Sequence, residues 1–353
     1  MQKRIAGPAK ILKEKDANRK ILAGRSFAVI GFGPMGKAMA LNLRDCGYGV
    51  RIGLRNRSAS AEEAKKMGFK VLPLADALKS SEICVLAVPE TALPDVIGCA
   101  DAGSLKGKTL VFLSGAGVQW GYVSPVDGAN IVLVSPKGPG IAVRFEFEKG
   151  MGVPAFIAVH QGGKIAREIA LAIADAIGST RAGVIETTFE EDAQTSLFSE
   201  QAVVCGGLRA LVSAGFETLV EAGYKPEMAY FECCNQLKYM ADLLCQRGIL
   251  GMRMAVSQMH RYGDVTRGDR VVSDKSKREM KKILSEIRSG KFAKEWQKEC
   301  MQGKKRYAKA LSAGQQHPIE KAGQRLRSLM PWLAKQNVKG AGGAFVQLTR
   351  KKD

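Results

Sequence analysis

Residues 27–37 read Phe27-Ala28-Val29-Ile30-Gly31-Phe32-Gly33-Pro34-Met35-Gly36-Lys37, and this stretch decides the fold of the first half of the chain. Four apolar residues make a buried strand, the spacing Gly-x-Gly-x-x-Gly makes a tight turn, and Lys37-Ala38-Met39-Ala40-Leu41-Asn42-Leu43 continues as a helix. In that order the glycines have separate tasks. The first makes the turn, the second lets the backbone approach a pyrophosphate, and the third lets helix and strand pack closely. Free N–H groups at the helix start then face the phosphates. The stretch therefore predicts a dinucleotide-binding α/β unit.

The end of the second strand indicates which dinucleotide. NAD enzymes place an Asp or Glu there to hold the ribose hydroxyls, whereas this chain reads Gly53-Leu54-Arg55-Asn56-Arg57-Ser58-Ala59-Ser60. Two guanidiniums and two hydroxyls suit the extra 2′-phosphate of NADPH, and no carboxylate repels it. The plainer alternative is a solvated basic turn.

Further along, strands at Val50–Leu54 and at 83–88, 110–113, 130–134 and 153–160 alternate with helical stretches such as 61–67, which predicts an open parallel sheet of Rossmann type. Ligands of such sheets sit beyond the carboxyl ends of the strands, where Gly31, Pro89, Ser114 and Lys137 fall. From about Glu186 the pattern changes. Residues 196–222, 228–247, 275–289 and 318–330 place apolar side chains at three- and four-residue steps, so the second half is expected to be all-helical. The expected organisation is a basic N-terminal segment at 1–24, an NADP-binding Rossmann domain at 25–185, a helical domain at 186–333 and a disordered basic tail at 334–353.

A chain of 353 residues is long enough for two cores. No run of consecutive apolar residues approaches the roughly 20 of a membrane span, and residues 1–24 lack the apolar centre of a secretory signal. Glu14, Asp16 and the lack of serine there argue against a transit peptide. The eight cysteines form no Cys-x-x-Cys pair and read as reduced thiols, which points to the cytoplasm. Cys233-Cys234 beside Glu232 reads as a soft-metal contact or as a buried helix pair. The net charge of +20 lies mostly near the N-terminus and between Lys275 and Lys309, where Lys and Arg are interleaved with Glu279, Glu286, Glu295 and Glu299. Mixed charge at helical spacing is a solvated face. No nucleic-acid motif accompanies it, so the charge is read as attracting NADPH and anionic substrates rather than nucleic acid. Of the three histidines, His317 belongs to a helix start, and His160 and His260 lie outside any motif.

Several ordered segments go further. They are Leu41-Asn42-Leu43-Arg44-Asp45, Gly53-Leu54-Arg55, Pro136-Lys137-Gly138-Pro139-Gly140, Gly152-Val153-Pro154-Ala155, the run 180–189, Glu200-Gln201-Ala202-Val203, the run 215–224 and His317-Pro318-Ile319-Glu320-Lys321. With these the chain, from about residue 13 to 333, resembles a ketol-acid reductoisomerase of the short, class I form. The resemblance implies NADPH reduction after an alkyl migration in a 2-acetohydroxy acid. It also implies two Mg²⁺ ions held by carboxylate pairs at i and i+4 on two helices, and an interlocked homodimer. Hard oxygen ligands on one helix face are what Mg²⁺ requires.

The family's metal pairs fall on Ser196 and Glu200 and on Glu232 and Gln236, so each pair has lost one carboxylate, Ser196 standing where the bridging aspartate belongs. Two dications facing two carboxylates are poorly neutralised, so Mg²⁺ is expected to bind weakly or not at all. Ser114 replaces the histidine of the family's Phe-Ala-His-Gly, and Pro34-Met35 replaces Ser-Gln in the glycine turn. Lys137 matches the family's substrate-site lysine and Ser257 the serine that touches the substrate carboxylate. The expected catalytic residues are Lys137, Glu200, Glu232 and Ser257. The expected cofactor residues are Gly31, Phe32, Gly33, Pro34, Met35, Gly36, Arg55, Arg57, Ser58, Ser60, Pro89, Ser114 and Gly140. Three readings stay open. They are a reductase of a small ketone or imine without isomerisation, an authentic reductoisomerase in which one Mg²⁺ or Glu190, Glu191 and Asp192 replace the lost ligands, and a non-catalytic NADP-binding paralogue or partner subunit, the substrate being a small keto acid or imine in the first case.

Overall fold

The computed structural model describes residues 7–124 and 126–330. The expected tail at 334–353, like residues 1–6 of the N-terminal segment, lies outside the described residues. The chain forms two compact units that divide between Ala193 and Gln194.

The first unit is built on nine strands: β1 (Ile11–Leu12), β2 (Phe27–Ile30), β3 (Val50–Leu54), β4 (Lys70–Pro73), β5 (Ile83–Leu86), β6 (Thr109–Phe112), β7 (Asn130–Pro136), β8 (Ala155–Gln161) and β9 (Val184–Glu186). Their order across the sheet is β1-β9-β8-β7-β6-β5-β2-β3-β4. From β4 to β7 every neighbouring pair is parallel, in the order of a dinucleotide-binding sheet whose switch point lies between β2 and β5. Alternate residues face opposite layers. Phe27, Val29, Ile83 and Val85 join one core, and Ala28, Ile30, Cys84 and Leu86 the other. Both faces of these strands are buried, which is why they read as unbroken apolar runs.

The sheet is mixed, not all parallel as expected. β8 runs antiparallel to β7, pairing Ala155 with Pro136. After β7 the chain makes the short helix Gly140–Glu148 and returns to the end it left, since Lys137 N–H donates to the Pro154 carbonyl at 2.7 Å. No crossover to the far end takes place, so the next strand must run back. β1 also adds antiparallel to β9, and buried Leu12 and Leu22 anchor the N-terminal segment to this unit.

The second unit is helical. Between helices Phe189–Ser199 and Gly206–Glu221 lies a π-helical turn at Glu200–Val204, and between Pro226–Tyr230 and Gln236–Met254 lies another at Phe231–Asn235. The 33-residue helical stretch Phe189–Glu221 is long and apolar enough to cross a membrane by length and composition. Reading consecutive apolar runs missed it, because its apolar residues are spaced among small and polar ones. Helices Gln258–Val271, Asp274–Arg288, Lys291–Met301, Lys305–Gln315 and Pro318–Ser328 complete the unit. Its core is small, centred on Phe216, Ala229, Tyr230, Ala322 and Leu326. His317 caps the last of these helices, accepting from Ile319 N–H at 3.2 Å, while its Nε2 lies 2.8 Å from Glu217.

Candidate functional site

At the switch point, β2 runs into Gly31, whose φ of +98° lies in the left-handed region. A Cβ there would stand 2.4 Å from the Ala87 carbonyl oxygen at the end of β5, so strain and steric clash both require glycine. Gly36 is held as closely, 2.4 Å from the Gly31 carbonyl oxygen. Gly33 differs. It caps the helix Pro34–Asp45, and a Cβ on it would meet nothing within 4 Å. Pro34 has no N–H to leave unpaired, and Lys37 N–H bonds back to Gly33 at 2.8 Å. Met35 and Gly36 thus keep first-turn N–H groups without intrahelical partners. Open space over Gly33 beside two such donors fits a pyrophosphate. Gly140 closes the other side, since a Cβ on it would lie 2.4 Å from the Pro34 carbonyl.

Beyond β3, Arg55 and Arg57 are exposed, and among the described residues neither is in an ion pair. Arg57 adopts φ +58°, an uncommon turn conformation for a residue with a side chain. Ser58 and Ser60 are half-buried at the start of the helix Ala61–Lys66, with no capping bond from the Ser60 side chain. Pro89 stands after β5, and Ser114 after β6, where its hydroxyl accepts from Ala116 N–H at 3.2 Å.

Lys137 follows β7. Its ammonium is paired with Asp192, donates to the Ser135 hydroxyl at 3.0 Å and lies 4.3 Å from the centre of the Phe156 ring. Asp192 is only 1% exposed, and its other oxygen accepts from Gly115 N–H at 2.8 Å. Gly115 can approach because a Cβ on it would sit 2.1 Å from the Phe189 carbonyl. The carboxylate thus fixes both the ammonium after β7 and the turn after β6. The sequence reading named Asp192 only as a spare metal ligand. Both of its oxygens are engaged, one by Lys137 and the other by Gly115.

In the helical unit both surviving carboxylates lie in the π-turns. Glu200 opens the first, where Cys205 N–H donates to its carbonyl at 3.2 Å and Cys205 Sγ to its carboxylate at 2.6 Å. That hydrogen bond, then burial and the carboxylate charge, push the Cys205 thiol pKa up. Glu232 lies in the second, accepting from the Gln236 amide at 2.5 Å. Cys233 and Cys234 beside it are half-buried, and burial pushes the Cys233 thiol up. Ser196 is half-buried. Ser257 caps the helix Gln258–Val271, its hydroxyl 2.6 Å from His260 Nδ1. No hydrogen bond links Glu200, Glu232 and Ser257 to one another among the described residues. Nor does any group of three or more His, Cys, Asp or Glu side chains there stand close enough to hold a metal. A donor set of two carboxylates, one hydroxyl and an amide whose NH₂ faces Glu232 does not fit two Mg²⁺ ions.

Comparison with known proteins places both units. The family model described as acetohydroxy acid isomeroreductase, NADPH-binding domain, matches residues 21–183, and that of the ketol-acid reductoisomerase C-terminal domain matches 189–332. Among solved structures, an NADH-preferring ketol-acid reductoisomerase from an uncultured archaeon superposes with a TM-score of 0.88 at 37% identity, over 91% of this chain and 99% of that one. A semialdehyde dehydrogenase NAD-binding protein from Cupriavidus necator reaches 0.57 at 17% identity, over 75% and 99%. A 1-pyrroline-5-carboxylate reductase from Streptococcus pyogenes reaches 0.51 at 12%, over 75% and 98%, and these two share the fold alone. The chain belongs to the ketol-acid reductoisomerase family, with the nicotinamide-dinucleotide-binding domain of an oxidoreductase followed by that family's helical domain.

Proposed function

We propose that this chain is an NADPH-dependent reductase of a small 2-keto acid or imine that works without the two-metal alkyl migration. The observation that carries the reading is the Glu232–Gln236 pair, in which an amide N–H₂ occupies the carboxylate where the family pattern supplies a second one. With Ser196 equally neutral, the charge needed to hold two dications is missing. Hydride transfer needs only orientation and electrostatics from the protein, so losing the metals removes migration before reduction.

NADPH, when bound, supplies the hydride. Gly33, Met35 and Gly36 receive its pyrophosphate, and Gly140, Pro89 and Ser114 line its path. Arg55, Arg57, Ser58 and Ser60 meet the 2′-phosphate. Lys137, steadied by Asp192, gives a proton to the oxygen or nitrogen that gains charge as hydride arrives, and Glu200, Glu232 and Ser257 orient the substrate. The working unit is a cytoplasmic homodimer that closes with two-fold symmetry. Glu200 of one subunit then faces Glu232 and Ser257 of the partner subunit.

The test is NADPH oxidation by the purified chain, with and without Mg²⁺, against 2-acetolactate and a panel of 2-keto acids and cyclic imines. Metal-independent turnover of a keto acid or imine is expected. Mg²⁺-dependent turnover of 2-acetolactate restores the authentic reductoisomerase, and no turnover of any substrate leaves a non-catalytic paralogue. NADPH is expected to bind at least about tenfold tighter than NADH, with Arg55→Asp and Ser58→Asp together inverting the order. Equal affinity in the unmodified protein refutes the cofactor assignment.

A further inference from the structure

We propose that the amino end of the first unit's sheet holds a second anion site, built by Arg25, Arg51 and Lys70, that takes a diphosphate group. Residues 24–26 lead into β2, residues 47–49 lead into β3, and Lys70 opens β4. The glycine turn leaves β2 at its other end, and the four residues of that strand put roughly 13 Å between the two places.

These segments line a cavity of about 510 Å³, the size of a small-ligand site. Arg51 and Lys70 are register partners on the parallel strands β3 and β4, so their side chains leave the sheet on one face, with the strands about 4.8 Å apart. Like charges side by side repel. Among the described residues neither is in an ion pair or a side-chain hydrogen bond. Arg25 joins them on the lining, its Nε donating to the Ile21 carbonyl at 2.8 Å and its terminal nitrogens left over. No carboxylate lines the cavity among the described residues. The acids next to it in the chain are committed elsewhere, Asp45 to Arg144 at 2.7 Å and Glu82 to Ser26 N–H at 3.1 Å.

The rest of the wall suits the same ligand. Gly24 and Gly49 also line it, a Cβ on either would meet nothing within 4 Å, and among the described residues neither N–H donates to a protein acceptor. Tyr48 packs its ring on Phe27, with centroids 5.2 Å apart, and makes one side firm. Guanidinium forks match phosphate oxygens in pairs. A single carboxylate or phosphate cannot reach all of these donors at once, whereas a diphosphate brings two tetrahedral groups of acceptors and the charge to offset three cations.

A lysine on an edge strand also discourages pairing with other chains, so the test must separate ligand binding from edge protection. Pyrophosphate is titrated by calorimetry into the full-length chain, both cofactor-free and saturated with NADP⁺, and thermal unfolding is followed beside it. Pyrophosphate is expected to bind the NADP⁺-saturated chain at least about tenfold tighter than inorganic phosphate does and to raise its Tm. Arg51→Gln and Lys70→Gln should each lose about tenfold in affinity. Without the anion, exposed Lys70→Gln should melt no lower than the parent, because it relieves a like-charge contact. Arg55→Asp with Ser58→Asp, beyond the other end of β3, should bind pyrophosphate as the parent does. ADP identifies the source of the diphosphate: tighter binding than pyrophosphate assigns a nucleoside diphosphate, and weaker binding the inorganic ion. Heat that vanishes under NADP⁺ belongs to the turn after β2 and overturns the second site. Parent-like affinity in both Gln variants leaves the two cations to edge protection and overturns it as well.

Discussion

In the first unit each face of the sheet is covered by the chain's own helices, and residues such as Phe27, Val29, Ile30, Met39 and Ile173 have no solvent exposure. In the helical unit, by contrast, Val203 is 51% exposed, Leu208 42%, Leu211 49%, Leu250 71% and Met259 77%. One region closes its own core, and the other leaves apolar surface for something else to cover. Chemistry follows the same division. Lys137 is held by a buried carboxylate of its own unit, whereas among the described residues the side chains of Glu200, Glu232 and Ser257 hydrogen-bond only within their own helical stretches. Lys137 is positioned by packing within its own unit, whereas Glu200, Glu232 and Ser257 stand on exposed helical surface.

The largest effect is expected where that surface is charged. In the proposed homodimer, Leu208→Asp together with Leu211→Asp should cost about 4 kcal/mol per dimer in lost apolar burial and give a monomer by light scattering. A wild-type chain that is monomeric at micromolar concentration breaks the comparison outright.

Next come two glycines of one turn. Gly31→Ala forces a Cβ against the Ala87 carbonyl at φ +98° and should cost about 3 kcal/mol in urea unfolding. Gly33→Ala fills open space and should cost about 1 kcal/mol as a poorer cap, yet weaken NADPH binding at least about tenfold. Equal destabilisation by the two would refute the cradle over Gly33.

A third pair compares carboxylates. Asp192→Asn leaves the Lys137 ammonium facing an amide and should cost about 2 kcal/mol, with a marked loss of turnover. Exposed Glu200→Gln should change stability by less than about 0.5 kcal/mol. Matching unfolding midpoints for the two variants would deny Asp192 its anchoring part.

The dinucleotide half was legible because its signals are local. Phe27–Ile30 and Val50–Leu54 fall where the apolar runs placed them, and the glycine spacing fixed the turn between β2 and the next helix. What failed to show was of three kinds. Edge strands carry little pattern, as in the four-residue, largely uncovered Lys70–Pro73 or the two-residue Ile11–Leu12. Strand direction is not a property of periodicity, so β8 read as parallel. The π-turns depend on i→i+5 bonds that no period-3.6 pattern reports, although Gly206 and Gly207, which admit the Gln201 and Ala202 carbonyls, were the available signal. Asp192 lies 55 residues from Lys137. Only the fold joins them. Helix Gln258–Val271 carries too few apolar residues to show a stripe.

The smallest effect tests the comparison thiol by thiol. Burial pushes Cys84 in the first unit up to about 12, against a smaller opposing pull from Lys108. Cys205 in the second unit is raised chiefly by its hydrogen bond to Glu200. A raised thiol pKa means less thiolate at a given pH, and alkylation follows the thiolate. Cys205 should therefore react with iodoacetamide more slowly at pH 8 than an ordinary exposed cysteine. Glu200→Ala, which removes both the acceptor and the negative charge, should speed it roughly threefold. Cys84 should label only through opening of the first unit, so its rate should follow global unfolding and ignore Glu200. Peptide mass spectrometry resolves the two sites in one sample. An unchanged Cys205 rate in Glu200→Ala would show that Glu200 does not hold the thiol, and labelling of Cys84 as fast as Cys205 would show that the first unit is not closed.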